Sequence, residues 1–414
     1  MANELATSLT CLKGPVPPII QLILKVASRC NLNCSYCYVY NQADSTWKQR
    51  PVIMSDGIFE AALERIHQHC RYSGQKSLRI CFHGGEPCLI GVQRFDSWCT
   101  DARRVLSGSM AVQLVIQTNG TLLDDSWAEV FRKHDVMVGV SLDGPKEHND
   151  IFRVNHAGLG SYNEVARGIK ILQRAQVPYG ILCVIPLGAK PLSVHRHFLE
   201  LGSTRVTYLL PHFTHDTIAH IRQRYGATPC ADFLVPIFDD WWFNGTMDIQ
   251  IRDLRNMARI ILGGSSQIET FGNVPPRYVF VETDGAIEGL DCLRVCKDRI
   301  TPIGLNVLNA DFREILQTDN MHRTAIFEGM ALPRACRGCP EEHTCGGGYL
   351  PHRYSSARGF DNPSVWCADL LKLFTHLRLR LDVPVEETLL RQQSLQGGAC
   401  GTPALPLRQG MDYQ

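Results

Sequence analysis

Residues 30–37 read Cys-Asn-Leu-Asn-Cys-Ser-Tyr-Cys, which places the thiols of Cys30, Cys34 and Cys37 on one short stretch. That stretch directly follows an apolar, β-leaning run, IIQLILKVA at 19–27, so the thiols stand at the end of an expected strand. Thiolates this close in sequence can all turn to one face of a loop. Four would saturate a tetrahedral zinc ion or all four irons of a cubane. Three leave one iron of a [4Fe–4S] cluster without a protein ligand, and an open iron is where chemistry can occur. A zinc knuckle with a distant fourth ligand is the competing reading.

Working outward, similar short apolar runs recur at 78–82 (LRICF), 112–117 (VQLVIQ), 136–142 (VMVGVSL), 179–185 (YGILCVI) and 206–210 (VTYLL). Between them lie stretches of helical period. In 55–73, Ile58, Phe59, Ala62, Leu63 and Ile66 share one face, and in 161–175 a Ser161/Glu164 capping box precedes Val165, Ile169 and Leu172. Strands alternating with helices read as βαβ units around a parallel sheet. The expected fold is α/β, a partial (β/α)6 TIM-like barrel, with chemistry at the C-terminal ends of its strands.

Near 211–260 the pattern weakens, with a Trp-rich piece (DDWWFNG) and then a helical reading. From about 271 the chain is turn-rich and cysteine-rich, the mark of a small domain held by metal more than by an apolar core. Residues 368–381 suggest one more helix. The expected organisation is an N-terminal extension at 1–18, the barrel at 19–235, a bridging region at 236–270, a cysteine-rich domain at 271–370, and a helix with a loose tail at 371–414.

Composition sets limits. With 414 residues at 44% hydrophobic the chain can bury more than one small core. Forty-two basic against 41 acidic side chains leave a formal charge of +1, which gives no footprint for nucleic acid. No apolar run approaches the roughly 20 residues a membrane helix needs. The opening MANELATSLTCLKG has neither the cationic nor the apolar part of a signal peptide, so a cytoplasmic location is expected. Seventeen cysteines in a reducing compartment are not a disulfide framework. Cys11, Cys70, Cys81, Cys88, Cys99, Cys183, Cys230 and Cys400 are scattered singly and read as small buried hydrophobes. The others fall in sets: the first three, Cys292 with Cys296, and Cys336, Cys339, Cys345 and Cys367. For the last set a structural zinc on four thiolates is the bland reading.

Further motifs arrive in order at the ends of the expected strands. They are His83-Gly84-Gly85-Glu86-Pro87, Gln117-Thr118-Asn119-Gly120 and Ser141-Leu142-Asp143-Gly144, followed by Arg153. Together with the cysteine loop they make the sequence resemble the radical S-adenosylmethionine (SAM) enzymes. The resemblance implies a [4Fe–4S] cluster on Cys30, Cys34 and Cys37, with SAM on its open iron. It implies SAM contacts from Tyr36, Gly84, Gly85, Glu86, Asn119, Ser141 and Asp143, and a pairing of Arg153 with the methionine carboxylate. It also implies reductive homolysis of SAM to a 5′-deoxyadenosyl radical, fed by an external one-electron reductant such as flavodoxin or ferredoxin.

Cys336, Cys339, Cys345 and Cys367 resemble the outer auxiliary [4Fe–4S] ligands of a SPASM domain. The sequence departs from the seven-cysteine SPASM pattern: Tyr349 stands where a further cysteine is usual, and only Cys292 and Cys296 remain for an inner cluster, which is expected to be absent or rebuilt. The stretches CNLNCSYCYVYN, DGAIEGLDCLRVC and CGGGYLPHRYSSARGFDNPSVWCADL are similar to peptide maturases that form cyclophanes in ribosomally made precursor peptides. That resemblance implies β-hydrogen abstraction and a crosslink to an aromatic residue, with Asp284, Asp291, His352, Arg353 and Tyr354 as candidates for substrate contact or proton removal. The runner-up is the anaerobic sulfatase-maturase type, which makes formylglycine; a non-catalytic iron–sulfur or zinc scaffold is the reading from another class. The residues before the first strand are too few for a leader-binding module. Capture of a leader is therefore expected from a separate protein, a groove in the SPASM region or an exposed sheet edge.

Overall fold

The computed structural model describes residues 15–397 apart from 107, 109 and 245–248. Most of the expected N-terminal extension, including Cys11, and the tail with Cys400 lie outside the described residues. Ten strands form among the described residues: β1 (Gln21–Ala27), β2 (Ser77–Gly84), β3 (Ala111–Thr118), β4 (Met137–Ser141), β5 (Tyr179–Val184), β6 (Arg205–Leu209), β7 (Gln250–Ile251), β8 (Tyr278–Val281), β9 (Ala286–Glu288) and β10 (Pro302–Asn306). The first six are the six apolar runs of the sequence, and the fold is α/β with a parallel sheet.

The chain divides into two compact units. The first comprises Met1–Pro186, Arg196–Thr204 and Pro275–Gly329; the second comprises Leu187–His195, Arg205–Val274 and Met330–Gln414. In the first unit β1, β2, β3, β4 and β5 pair in succession, all parallel. On its other side β1 pairs parallel with β8, which continues antiparallel through β9 to β10. Strand β1 is buried at six successive positions, as a parallel strand covered on both faces must be. The stretch from 271, read from sequence as turn-rich and cysteine-rich, contributes these three strands; at three to five residues each they are too short to show an alternating pattern.

Helix α1 (Asp56–Ser73) is capped by the Ser55 side chain and stopped by Gly74 at φ 68°. It buries Phe59, Ala62, Leu63 and Ile66, and Phe59 stacks on Trp98 with ring centres 4.3 Å apart. Full burial of such a side chain contributes roughly 1.5–3 kcal/mol. Helix α2 (Tyr162–Arg174) buries the expected Val165, Ile169 and Leu172, but the Ser161/Glu164 capping box does not form. The Ser161 hydroxyl instead donates to the Arg153 carbonyl at 2.8 Å and accepts from Asn149 Nδ2 at 3.3 Å. A tertiary demand from the Arg153 loop outcompetes the local cap.

In the second unit β6 pairs parallel with β7. The stretch at 211–260 resolves into helices, among them α3 (Pro229–Phe243) and α4 (Arg252–Ile261). Helix α5 (Cys367–Leu381) begins at the last cysteine of the four-thiol set. Its Asp369 accepts from the backbone N–H groups of Cys230 and Ala231 at 2.7 and 3.0 Å, which satisfies the exposed donors at the start of α3. Burial pushes the Asp369 carboxyl up to about 6. Among the described residues no helix is long and apolar enough to cross a membrane.

Candidate active site and metal centres

The cysteine loop leaves β1 at Ala27 and is anchored by the chain around Arg153: Asn33 N donates to Val154 O and Ser35 N to Phe152 O. A turn in which Cys37 N donates to Cys34 O brings the second and third thiols round. The Cys30 sulfur accepts from Leu32 N at 3.4 Å and faces Asn119 Nδ2 at 3.7 Å. Burial pushes the Cys30 thiol up to about 12, helped by Glu86, Cys34 and Cys37. Burial also raises Cys34 and Cys37; Arg153 opposes the rise at both, while the Cys37 charge adds to it at Cys34. Three thiols gathered on one loop, whose ionisation burial opposes, fit a cationic iron–sulfur group, which would relieve that cost. No three Cys, His, Asp or Glu among the described residues close up around a single metal ion.

The motif residues surround this loop. At the end of β2, Gly84 (φ 140°) could carry no side chain, because a Cβ would overlap the Ala27 carbonyl. A Cβ on Gly85 would overlap the Tyr40 hydroxyl and the Arg29 carbonyl. At these glycines the close approach is made by the chain itself, with Gly85 N donating to Ala27 O at 2.8 Å and Glu86 N to Arg29 O at 3.0 Å. Glu86 is fully buried and accepts from Cys88 N, Thr118 Oγ1 and Asn119 N at 3.0, 2.7 and 2.7 Å. It clamps the end of β2 to the end of β3. Asn119 bonds Asn31 Oδ1 at 2.8 Å, which ties the β3 turn to the cysteine loop. Ser141, ending β4, accepts from Gln117 Nε2 at 3.0 Å.

Tyr36, Asp143 and Arg153 form one chain of contacts. The Tyr36 hydroxyl donates to Asp143 Oδ2 at 2.5 Å and accepts from Arg153 Nη1 at 2.8 Å. Val184 N, on β5, holds the other Asp143 oxygen at 2.9 Å. Burial works to raise the Asp143 carboxyl and, despite Arg153, prevails. The Arg153 Nε is buried without a hydrogen-bond partner, a donor that an anionic ligand group would satisfy.

Asp291 stands in the same unit. Its Oδ2 accepts from the Lys25 ammonium and from the Tyr38 hydroxyl, the latter at 2.8 Å. Lys25 is 3% exposed, pairs in register with His83 across β1 and β2, and lies 3.2 Å from His83 Nδ1. Burial works to raise the Asp291 carboxyl, but the charge and hydrogen bond of Lys25, with Arg294, outweigh it and hold it below its usual range. Burial, with Lys25 adding to it, pushes His83 down to about 3, so its ring is neutral. Lys25 and Tyr38 were not singled out from the sequence, and His83 was named only as the start of the glycine motif. The available signal was a lone lysine inside the apolar run of β1. Asp284 lies elsewhere: its side chain caps the β8–β9 turn by accepting from Ala286 N at 3.1 Å.

Cys292 and Cys296 flank a buried ion-pair network. Arg294 meets Asp44, Glu282 and Glu288, and Arg50 meets Glu282 and Glu288. Cys292 is buried beside Tyr38. In the second unit the Cys345 thiol is pushed up to about 12 by burial and then by Cys367, Cys336 and Cys339, so all four thiols of that set converge. Arg353 stands beside Cys336 and Cys345, and its Nε donates to Phe360 O at 3.2 Å. His352 is buried against His212, with their nitrogens 3.2 Å apart, and Tyr349 packs on both rings. Tyr354 packs on Phe360 at 5.3 Å.

Residues 24–199 match the family model of the Radical SAM superfamily. Over 380 residues, 88% of this chain and 98% of the relative, the chain is 27% identical to a cysteine-type anaerobic sulfatase-maturating enzyme of Clostridium perfringens. It is 26% identical to a serine-type anaerobic sulfatase-maturating enzyme of Bacteroides thetaiotaomicron over 400 residues, 91% of this chain and 93% of that one. A solved structure, native anSMEcpe with bound AdoMet and Cp18Cys peptide, superposes with a TM-score of 0.74 at 23% identity, covering 92% of this chain and all of that one, and so shares the fold. These relatives overturn the cyclophane expectation in favour of the runner-up. The motif stretches that suggested it serve cluster and turn geometry, which many reactions share. A [4Fe–4S] cluster and SAM are the cofactors of this superfamily, and the thiol loop at the end of β1, which would hold them, lies within the residues that match its model.

Proposed function

We propose that the chain is a radical SAM enzyme of the anaerobic sulfatase-maturating type, oxidising a Cys or Ser side chain of a peptide substrate to formylglycine. The alignment to the C. perfringens enzyme, over 88% of this chain and 98% of that one, carries the reading. When bound, SAM with its cluster supplies a hydrogen-atom abstractor, and the cluster of the second unit an electron acceptor. In this reading Arg153 offers its unpartnered Nε to the methionine carboxylate, with Tyr36 and Asp143 fixing the guanidinium. Asn119, Ser141 and the Gly84–Gly85 backbone line the remainder, while Glu86 positions them from within. Asp291 takes the proton from the substrate thiol or hydroxyl. Lys25 and Tyr38 both bond its Oδ2, which leaves Oδ1 for the substrate. The side-chain carbon thereby loses one hydrogen atom, and the heteroatom one proton, as an electron departs. Serine yields the aldehyde directly; the thioaldehyde from cysteine exchanges its sulfur for oxygen with water. We place the enzyme in the cytoplasm with flavodoxin or ferredoxin as reductant.

The test is incubation of reconstituted protein with SAM, a reductant and sulfatase-derived peptides bearing Cys or Ser. The expected product reacts with a hydrazide probe and, for Ser, is lighter by two hydrogens. SAM cleavage with peptide that gains no carbonyl contradicts the proposal.

A further inference from the structure

Tyr40 follows the third cysteine of the loop by three positions, and its side chain is held from several directions. Asn41 N donates to Cys37 O at 2.9 Å and Asn41 Nδ2 to Cys34 O at 2.8 Å, which folds the chain after Cys37 back over the thiols. The Tyr40 ring stands edge-on to Trp47, with centres 4.9 Å apart at 87°. Trp47 is fixed in turn by Arg29, which lies over its ring at 5.0 Å and donates to its carbonyl at 2.7 Å. Gly85 supplies the space into which the phenol oxygen projects.

The result is a hydroxyl sealed from solvent with no hydrogen-bond partner among the described residues. A buried donor without an acceptor is rare in folded proteins and calls for an explanation. Here the surroundings supply one, because the phenol oxygen lies against Gly85 and the Arg29 carbonyl, next in the chain to Cys30. The orphaned hydroxyl therefore stands beside the start of the cysteine loop, where the cluster would bind.

We propose that the Tyr40 hydroxyl donates a hydrogen bond to a sulfur of the [4Fe–4S] cluster bound by Cys30, Cys34 and Cys37. Tyr40 is a positioning residue that eases electron uptake by that cluster. A hydrogen bond to a cluster sulfur withdraws electron density and stabilises the reduced state, which carries more negative charge. The proposal rests on the cluster at the thiol loop and not on the peptide reaction. It also assigns Gly85 a second reason to lack a side chain: any Cβ there would push the donor away from the sulfurs.

The experiment is a potentiometric titration of the reconstituted holoenzyme followed by EPR, with the thiol-loop cluster identified as the signal that SAM perturbs. In Tyr40→Phe the ratio of reduced to oxidised cluster at a fixed potential is expected to fall about tenfold, equivalent to about 59 mV for one electron. Iron content and the midpoint of the other cluster are expected to stay unchanged. A ring-difluorinated tyrosine at the same position, a stronger donor of nearly the same size, is expected to move the midpoint the opposite way. It keeps the test decisive if Tyr40→Phe does not assemble. An unchanged midpoint in an assembled variant overturns the proposal. So does a tenfold loss of SAM affinity at constant midpoint, which would show that the hydroxyl serves SAM.

Discussion

The two cysteine sites differ in what surrounds them. In the first unit, three thiols on one loop are ringed by polar groups from the ends of β2, β3 and β4, with two buried donors, Arg153 Nε and the Tyr40 hydroxyl, left without partners. In the second unit, four thiols converge from 336 to 367, with Arg353 beside two of them. Gly346, Gly347 and Gly348 all adopt positive φ just after Cys345, a turn that side chains would strain. One site keeps a coordination position and spare hydrogen-bonding capacity for a ligand. In the proposed reading the other uses its four thiols to close a cluster. In that reading, thiol count and unused donors together separate a site built to bind from a site built to hold electrons.

Replacing Cys30, Cys34 and Cys37 by Ala is the strongest way to break that contrast. It is expected to remove about four of about eight irons per chain and abolish 5′-deoxyadenosine formation. Retained SAM cleavage would end the assignment of the open site. Cys345→Ala addresses the closed site. Iron should again fall by about four while SAM cleavage persists and peptide oxidation drops, and loss of both activities together would mean the sites are not separable.

Lys25→Met sharpens the reading of the first unit. The Lys25 ammonium holds the Asp291 carboxyl below its ordinary value, so removing it raises the folded-state pKa. A base works as carboxylate, and its activity is lost as pH falls through that pKa. The acid limb of peptide oxidation is therefore expected at higher pH in the variant, with SAM binding unchanged. An unmoved limb would remove Asp291 from the reaction. The smallest effect is expected from Glu86→Gln. Both carboxylate oxygens accept N–H or O–H donors, and a Gln amide would face one donor with another. The expected loss is about 1–3 kcal/mol of stability by denaturant unfolding, with SAM affinity altered much less. A large SAM defect in a variant of native stability would make Glu86 a direct ligand.

The same contrast shows where sequence was informative. Strands β1 to β6 are apolar runs of five residues or more and could be read directly. Strands β8 to β10 are shorter, and β8 joins the sheet beside β1, a neighbour distant in sequence. The cysteine sets were legible because thiol spacing is local chemistry. Lys25 and Tyr40 were not, since each matters through partners far along the chain or through a missing partner. The Ser161 cap failed for a related reason: the hydroxyl serves Arg153, a contact invisible to helical pattern. The reaction was misread because motif wording reports cluster geometry more than it reports what the radical attacks.

The most direct test of an open and a closed cluster in one chain is EPR of the reduced, reconstituted protein with and without SAM. Two cluster signals are expected. SAM should perturb one of them, and that one should be absent from the Cys30, Cys34 and Cys37 to Ala variant. If SAM perturbs neither signal, or perturbs the signal that remains in that variant, the distinction between the two sites is contradicted.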